Sequence, residues 1–262
     1  MRLAAAIEYN GAGFAGWQRQ GHAASVQAAL EAALSRVADR AIDVTASGRT
    51  DAGVHALAQV VHFDTAVDRP LHGWRMGANT HLPDSVCVHW IDRVPDRFHA
   101  RYDTLDRCYR YVILNRETRP AVGAGAVTWF RKPLDVARMQ AGGLALIGEH
   151  DFSAFRAAGC QAKHAQRCLD SLTVTRQGDY VVVEVIGNAF LHNMVRIIVG
   201  CLLDVGTGEQ PVGYPGELLA SRDRTRGSVT AVPDGLYFVG PRYAEEIGVP
   251  SWRKRSPFLL AV

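Results

Sequence analysis

A carboxylate and a guanidinium stand two residues apart in Gly48-Arg49-Thr50-Asp51-Ala52-Gly53-Val54-His55, between two glycines. Glycine adopts backbone shapes that other residues resist, and it lets a ligand or another backbone come close. An oriented, ionised aspartate can act as nucleophile, general base or metal ligand. A nearby arginine favours the ionised form, and a reference pKa of about 3.9 gives that form at neutral pH. An Arg-x-Asp pair is also an ordinary surface ion pair with little effect. The surroundings of Asp51 and Arg49 must decide between these readings.

Residues 42–46 and 57–63 are strand-like, so the octet is expected as a loop between strands, a frequent place for chemistry. Upstream, residues 3–9 form a candidate strand that runs into a Gly-rich loop. Ser25 is a suitable N-cap for a helix carrying Val26, Leu30, Leu34 and Val37. A second helix is expected over residues 70–79, and alternation over residues 86–91 predicts a strand. Further on, residues 107–115 read as a strand with Tyr109, Tyr111 and Ile113 on one face. A helix is expected over residues 134–147. Strands at 172–175 and 180–186 flank Gln177-Gly178-Asp179, a hairpin signal. A last helix is expected over residues 189–205, with Gly206 as its stop. Within it, Arg196 stands among apolar neighbours and needs a partner. The alternatives are an interhelix salt bridge, a snorkelling stem, or a charge that meets Asp51 or a phosphate. This order of elements predicts an α+β fold.

The 262 residues suffice for one large domain or two small ones. Composition is 48% hydrophobic and 21% charged, ordinary for a folded chain. No apolar run approaches the roughly 20 residues of a membrane span, and Glu8 interrupts the N-terminal apolar stretch too early for a signal peptide. Cytoplasmic location is the expectation. The 5 scattered cysteines fit reduced thiols better than a disulfide framework. Formal net charge is +3, and all but Lys132, Lys163 and Lys254 of the 29 basic residues are arginine, the side chain that forks onto phosphates and stacks on bases.

Other signals are weaker. Gly11-x-Gly13-x-x-Gly16 formally matches a dinucleotide fingerprint, but Trp17-Gln18-Arg19-Gln20-Gly21 is a poor helix start. Cys160, His164 and Cys168 recur every fourth residue, yet Gly159 and Gln161 oppose a helix there and no fourth ligand lies close, so no metal site is expected. Trp252-Arg253-Lys254-Arg255 is either an RNA-facing patch or a solvated end.

The octet resembles the catalytic loop of the TruA-type tRNA pseudouridine synthases. Further blocks carry the likeness in the family's order across nearly the whole chain. They are Tyr9-Asn10-Gly11-Ala12-Gly13-Phe14-Ala15-Gly16-Trp17-Gln18, Leu82-Pro83-Asp84, Phe98-His99-Ala100-Arg101 and Arg107-Cys108-Tyr109-Arg110-Tyr111. Asn188-Ala189-Phe190-Leu191-His192-Asn193-Met194-Val195-Arg196, Val199-Gly200 and Gly235-Leu236-Tyr237 complete the set. Asn10 and Ala12 depart from the family's usual Asp and Thr, which bears on loop contacts with RNA.

The resemblance implies two ferredoxin-like halves, residues 1–103 with the catalytic Asp loop and residues 104–262 with the substrate tyrosine and the RNA-binding surface. Their antiparallel sheets would join into one central sheet, with helices packed on one side and an active-site cleft between the halves. It implies isomerisation of uridine to pseudouridine at positions 38, 39 and 40 of the tRNA anticodon stem-loop, with no cofactor, by a homodimer. Asp51 would attack the nucleoside, either at C1′ or by taking the C2′ proton. Tyr109 would lie against the target uracil, leaving Tyr111 to packing. Arg49 would orient Asp51 or meet a phosphate, Arg196 would bring charge to the substrate, and Leu236 would wall the uracil pocket or belong to the core. His55 is expected to be structural or to touch RNA. A non-catalytic RNA chaperone and a carboxylate-dependent metal hydrolase are the competing classes.

Overall fold

A computed structural model describes residues 1–254. The chain divides into two compact units. Among the described residues, one comprises Met1–Asp106 with residues 238–254, and the other Arg107–Tyr237. The architecture is α+β.

The first unit contains strand β1 (Arg2–Tyr9), helix α1 (Val26–Ala38), strands β2 (Thr45–Ala46) and β3 (His55–Asp64), helix α2 (Leu71–His81) and strand β4 (Val86–Val94). β1 is central and antiparallel to both β3 and β4. Its odd-numbered residues face the helices: Leu3 is opposite Phe63, whose ring meets Trp74 of α2 at 5.4 Å. Its even-numbered alanines, Ala4 and Ala6, join Ala58, Phe98, Tyr243 and Trp252 in a second apolar cluster. Small side chains there leave room for large rings to lie close against the sheet. As expected, Ser25 caps α1, its hydroxyl accepting from the Ala28 N–H at 3.4 Å. The strand expected over residues 42–46 shrinks to Thr45–Ala46. Ile42 N–H is bound instead by the Ser35 hydroxyl and Val44 N–H by the Glu31 carboxylate, which ties the backbone to α1 rather than to a strand ladder.

The block at residues 98–101 fastens this unit. Arg2 donates to the Phe98 carbonyl at 2.7 Å while bridging Asp64, and the Tyr243 hydroxyl donates to the Ala100 carbonyl at 2.6 Å. Ala100 N–H donates to Nδ1 of His62 at 3.1 Å. Burial, helped by the Arg2 charge and His99, pulls the His62 imidazole down to about 4 against the opposing carboxylates of Asp64 and Asp103. A lowered folded-state pKa means that the unfolded chain takes the proton first. His62 therefore costs stability as pH falls from about 6.5 towards 4. His62→Asn keeps an acceptor for Ala100 N–H and cannot titrate. Its thermal midpoint is expected to fall less between pH 7 and 4 than that of the unaltered protein; an identical slope would show that His62 contributes nothing.

The C-terminal segment packs with the first unit, whereas the sequence reading placed it in the second half. The reason is aromatic and ionic. Trp252 is buried, edge-on to His89 and Trp90, and Arg253 pairs with Asp106, as does Arg242. Trp252 and Arg253 are thus packed rather than solvated, Lys254 is exposed, and Arg255 lies outside the described residues.

The second unit contains β5 (Asp106–Asn115), β6 (Thr128–Phe130), α3 (Val136–Gly143), β7 (Gly148–Asp151), β8 (Gln166–Gln177), β9 (Tyr180–Gly187), α4 (Met194–Thr207) and α5 (Tyr214–Ser221). β10 (Leu236–Arg242) begins in it and continues in the first unit. Its strands run in the order β5-β9-β8-β7, with β6 beside β5. β6 pairs parallel to β5, an exception to the expected antiparallel pattern. The hairpin turns at Gly178-Asp179, as expected, with Gln177 opposite Tyr180. Two helices differ from expectation. α3 ends at Gly143 and tightens into a 3-10 turn over Leu144–Leu146. α4 starts at Met194 because Asn193 adopts φ 59, a left-handed backbone that breaks the helical path. It ends at Thr207 and is capped by Gly208, two residues beyond the expected stop.

Candidate active site

Residues 48–54 form the loop between β2 and β3, as the strand pattern predicts, and the sequence makes that loop stiff. At its entrance, Ser47 N–H donates to the Val60 carbonyl at 2.8 Å, and Gln59 donates its amide to the Gly48 carbonyl at 2.8 Å. Thr50 is buried, its hydroxyl 2.7 Å from that of Tyr9. Asp51 follows, half-buried, and its carbonyl accepts from Val54 N–H at 3.2 Å to close the turn.

The Gly-rich stretch after β1 lies against this loop. Trp17 N–H donates to the Thr50 carbonyl at 3.1 Å, and Gly53 N–H donates to the Phe14 carbonyl at 3.3 Å. Gly11 N–H donates to Nδ1 of His55 at 3.1 Å, so that nitrogen carries no proton and His55, buried, has a structural duty. The approach is close enough to require glycine. A Cβ on Gly11 would lie 2.0 Å from the Val54 carbonyl oxygen. Gly16, at φ +100, has the Thr50 carbonyl oxygen 2.8 Å from its would-be Cβ. The Gly11-x-Gly13-x-x-Gly16 pattern thus serves contact with the Asp51 loop, and it opens a 3-10 turn rather than the helix a dinucleotide site needs. Asn10 and Ala12 fit the same local purpose: the Asn10 side chain accepts from Ala12 N–H at 3.0 Å and caps that turn.

Arg49 is exposed and belongs to no ion pair among the described residues, so the expected bridge to Asp51 is absent. Turning Thr50 inward onto Tyr9 sends the preceding side chain outward.

In the second unit, Tyr109 is buried on β5 opposite Val185 and meets Phe190 edge-on at 4.9 Å. Tyr111, fully buried, accepts from Thr128 and donates to the Val232 carbonyl at 2.7 Å, and burial pushes its phenol up to about 12. Arg196 is half-buried and finds backbone and amide partners rather than an acid. Its Nε donates to the Ala231 carbonyl at 2.6 Å and its Nη1 to Oδ1 of Asn193 at 2.9 Å. Leu236 is 4% exposed. The structure thus groups Arg196 with Asn193 and Ala231, and Tyr109 with Phe190. Sequence reasoning did not single out Thr50, Tyr9, Phe190 or Asn193. All lie inside quoted blocks, but nothing in their types separates a brace from a contact with ligand.

Cys160 and His164 lie on a loop and Cys168 on β8, not on one helix. Among the described residues, no group of three His, Cys, Asp or Glu side chains could hold a metal ion. Nor, among them, is any helix long and apolar enough to cross a membrane.

Comparison with known proteins adds the following. A family model described as "tRNA pseudouridine synthase" matches residues 5–103 and 144–244. A chain of Stenotrophomonas maltophilia described as "tRNA pseudouridine synthase A" is 54% identical over 252 residues, covering 96% of this chain and 98% of its own length. A Nitrosococcus oceani chain of the same description is 51% identical over 250 residues, 95% of this chain and 96% of its own. One from Pseudoalteromonas atlantica is 48% identical over 261 residues, 100% of this chain and 99% of its own. A solved chain described as "Crystal Structure of a Cbf5-Nop10-Gar1 Complex" aligns at 11% identity and TM-score 0.34 over 77% of this chain and 45% of that one, too slight a likeness to carry an argument.

Proposed function

We propose, for a chain that belongs to the tRNA pseudouridine synthase family, that its isomerisation of tRNA uridine runs on the Asp51 carboxylate, without a cofactor, at positions 38, 39 and 40 of the anticodon stem-loop. The reaction itself is an isomerisation. The bond from ribose C1′ to uracil N1 breaks, the base turns, and C1′ rejoins at C5. C5 loses a proton and N1 gains one, so no electron acceptor or energy source enters the balance.

The observation that carries the reading is the stiffness of the Asp51 loop, pinned on both sides of its carboxylate at Thr50 and Gly53. A reacting group held still has prepaid part of the entropy of the encounter. Asp51 acts as the nucleophile. Tyr109, edge-on to Phe190, lies against the target uracil, a role suited to an aromatic ring beside a base taken out of its stack. Leu236 walls the uracil. Arg49, exposed and in no ion pair among the described residues, meets phosphate, and Arg196 brings a second charge to the RNA. The protein works in the cytoplasm as a homodimer with one tRNA lying across both subunits.

The test is release of tritium from tRNA labelled at uracil C5, with purified protein and EDTA present. Release is expected. Its absence from folded protein that still binds tRNA would defeat the cofactor-free isomerase and favour an RNA chaperone. Reading tRNA by shape and phosphate also predicts salt dependence. If the arginines neutralise six or more phosphates, affinity falls by roughly 10³-fold or more between about 50 and 200 mM salt. Binding that is flat across that range in a filter assay would rule out a phosphate-dominated interface.

A further inference from the structure

One stretch of chain, the end of β1 and the ten residues after it, is hydrogen-bonded to residues 50–55. At least four hydrogen bonds join the two segments. Three are donated by backbone N–H groups, to a carbonyl oxygen or to His55. The fourth, between the Tyr9 hydroxyl and Oγ1 of Thr50 at 2.7 Å, depends on two particular side chains. Both residues are buried, with relative exposures of 3% and 7%. The Tyr9 ring is steadied by Trp17, 6.0 Å away and tilted 36°. Removing either hydroxyl leaves the other in a buried place one partner poorer. Thr50 is the residue immediately before Asp51, and its carbonyl is already held by Trp17 N–H. Its orientation therefore sets the direction in which the next side chain leaves the backbone.

We propose that Tyr9 is a positioning residue for the reaction, acting through Thr50 on the direction of the Asp51 carboxylate. The inference rests on Asp51 being the reacting group. It gives the N-terminal block a duty other than contact with RNA: Tyr9 is buried at the foot of the loop, and Gly11 and Gly16 beyond it are spent on approach to residues 50–54. Reacting groups must be held to within about 0.5 Å of their working geometry. A displacement of about 1 Å can cost on the order of 10²-fold in rate.

The experiment compares Tyr9→Phe, Thr50→Val, the double variant and Thr50→Ser, each by single-turnover tritium release, tRNA affinity and thermal midpoint. Tyr9→Phe and Thr50→Val are each expected to slow turnover by about 10²-fold while tRNA affinity stays unchanged. The double variant is expected to be no slower than either single one, because both remove the same bond. Thr50→Ser, which retains the hydroxyl, recovers most of the rate. Any variant with a lowered midpoint is assayed at a temperature where circular dichroism shows it folded. An unaltered rate in Tyr9→Phe overturns the proposal. So does slowing that adds across the two sites, or a loss of tRNA affinity that accounts for the loss of rate. Asp51→Asn is run alongside. If it turns over normally, the carboxylate reading itself fails. If it is inactive while Tyr9→Phe is unaffected, only the positioning role fails.

Discussion

Asp51→Asn is expected to abolish isomerisation while leaving tRNA binding in place. The amide has the shape of the carboxylate and can keep its hydrogen-bonding geometry, but it carries no negative charge and is a poor nucleophile. Removing the attacking group of an enzyme typically lowers turnover by on the order of 10⁴-fold or more. Arg49 forms no ion pair among the described residues, so neutralising Asp51 strands no Arg49 partner. A gel-shift titration beside the tritium assay reads both halves of the expectation. Turnover that survives in Asp51→Asn would end the case for this residue. Loss of turnover with an equal loss of tRNA affinity would make Asp51 a binding residue.

Gly11→Ala is expected to damage the protein through backbone collision. One added methyl would sit 2.0 Å from the Val54 carbonyl oxygen and 2.6 Å from its carbon. Neither atom can rotate away, because Val54 enters β3 and its N–H already closes the turn onto Asp51. The segments must separate, which weakens the Gly11 N–H bond to His55 and the Tyr9–Thr50 pair together. Forced overpacking of this kind costs about 3 kcal/mol at the upper end of its usual range, equivalent to a drop of roughly 10 °C in midpoint for a chain of this size. The same separation moves Asp51, so turnover should fall even at temperatures where the variant is folded. Calorimetry showing a midpoint within experimental error of the unaltered protein would contradict the close approach. Gly13→Ala is the control: its added Cβ meets nothing within 4 Å.

How much of this was legible in the sequence varies by position. The Asp51 loop was, because alternating strands on either side left glycines and charges between them. The caps were too: Ser25 sits where its hydroxyl satisfies an otherwise orphaned N–H. The start of α4 was not. Residues 189–193 continue the apolar pattern of the helix, and only the backbone of Asn193 reveals the break. The strand over residues 42–46 misled for a related reason, since alternation cannot tell whether an N–H meets a neighbouring strand or, as at Val44, a helix carboxylate. Arg49 illustrates a different limit. Proximity in sequence suggested an ion pair with Asp51, whereas the inward turn of Thr50 sends the guanidinium away. The tail was misjudged because a run of basic residues hides what Trp252 and Arg253 meet, namely the Trp90 ring and the Asp106 carboxylate, more than 140 residues earlier in the chain.

That last pairing has a consequence for how the protein is made. The first unit is closed by chain that leaves the ribosome after the entire second unit has been synthesised. At about 5–20 residues per second, the interval between Asp106 and Arg253 lasts on the order of 10 s. Throughout it, Ala4, Ala6 and Ala58 lack the Tyr243 and Trp252 rings that later cover them, and the Asp106 carboxylate waits for both of its arginines. The half that carries Asp51 is begun first and finished last. A nascent chain cut short between Asp106 and Trp252 holds the complete Asp51 loop on an unsealed sheet, which makes it a substrate for chaperones and proteases rather than a smaller working enzyme.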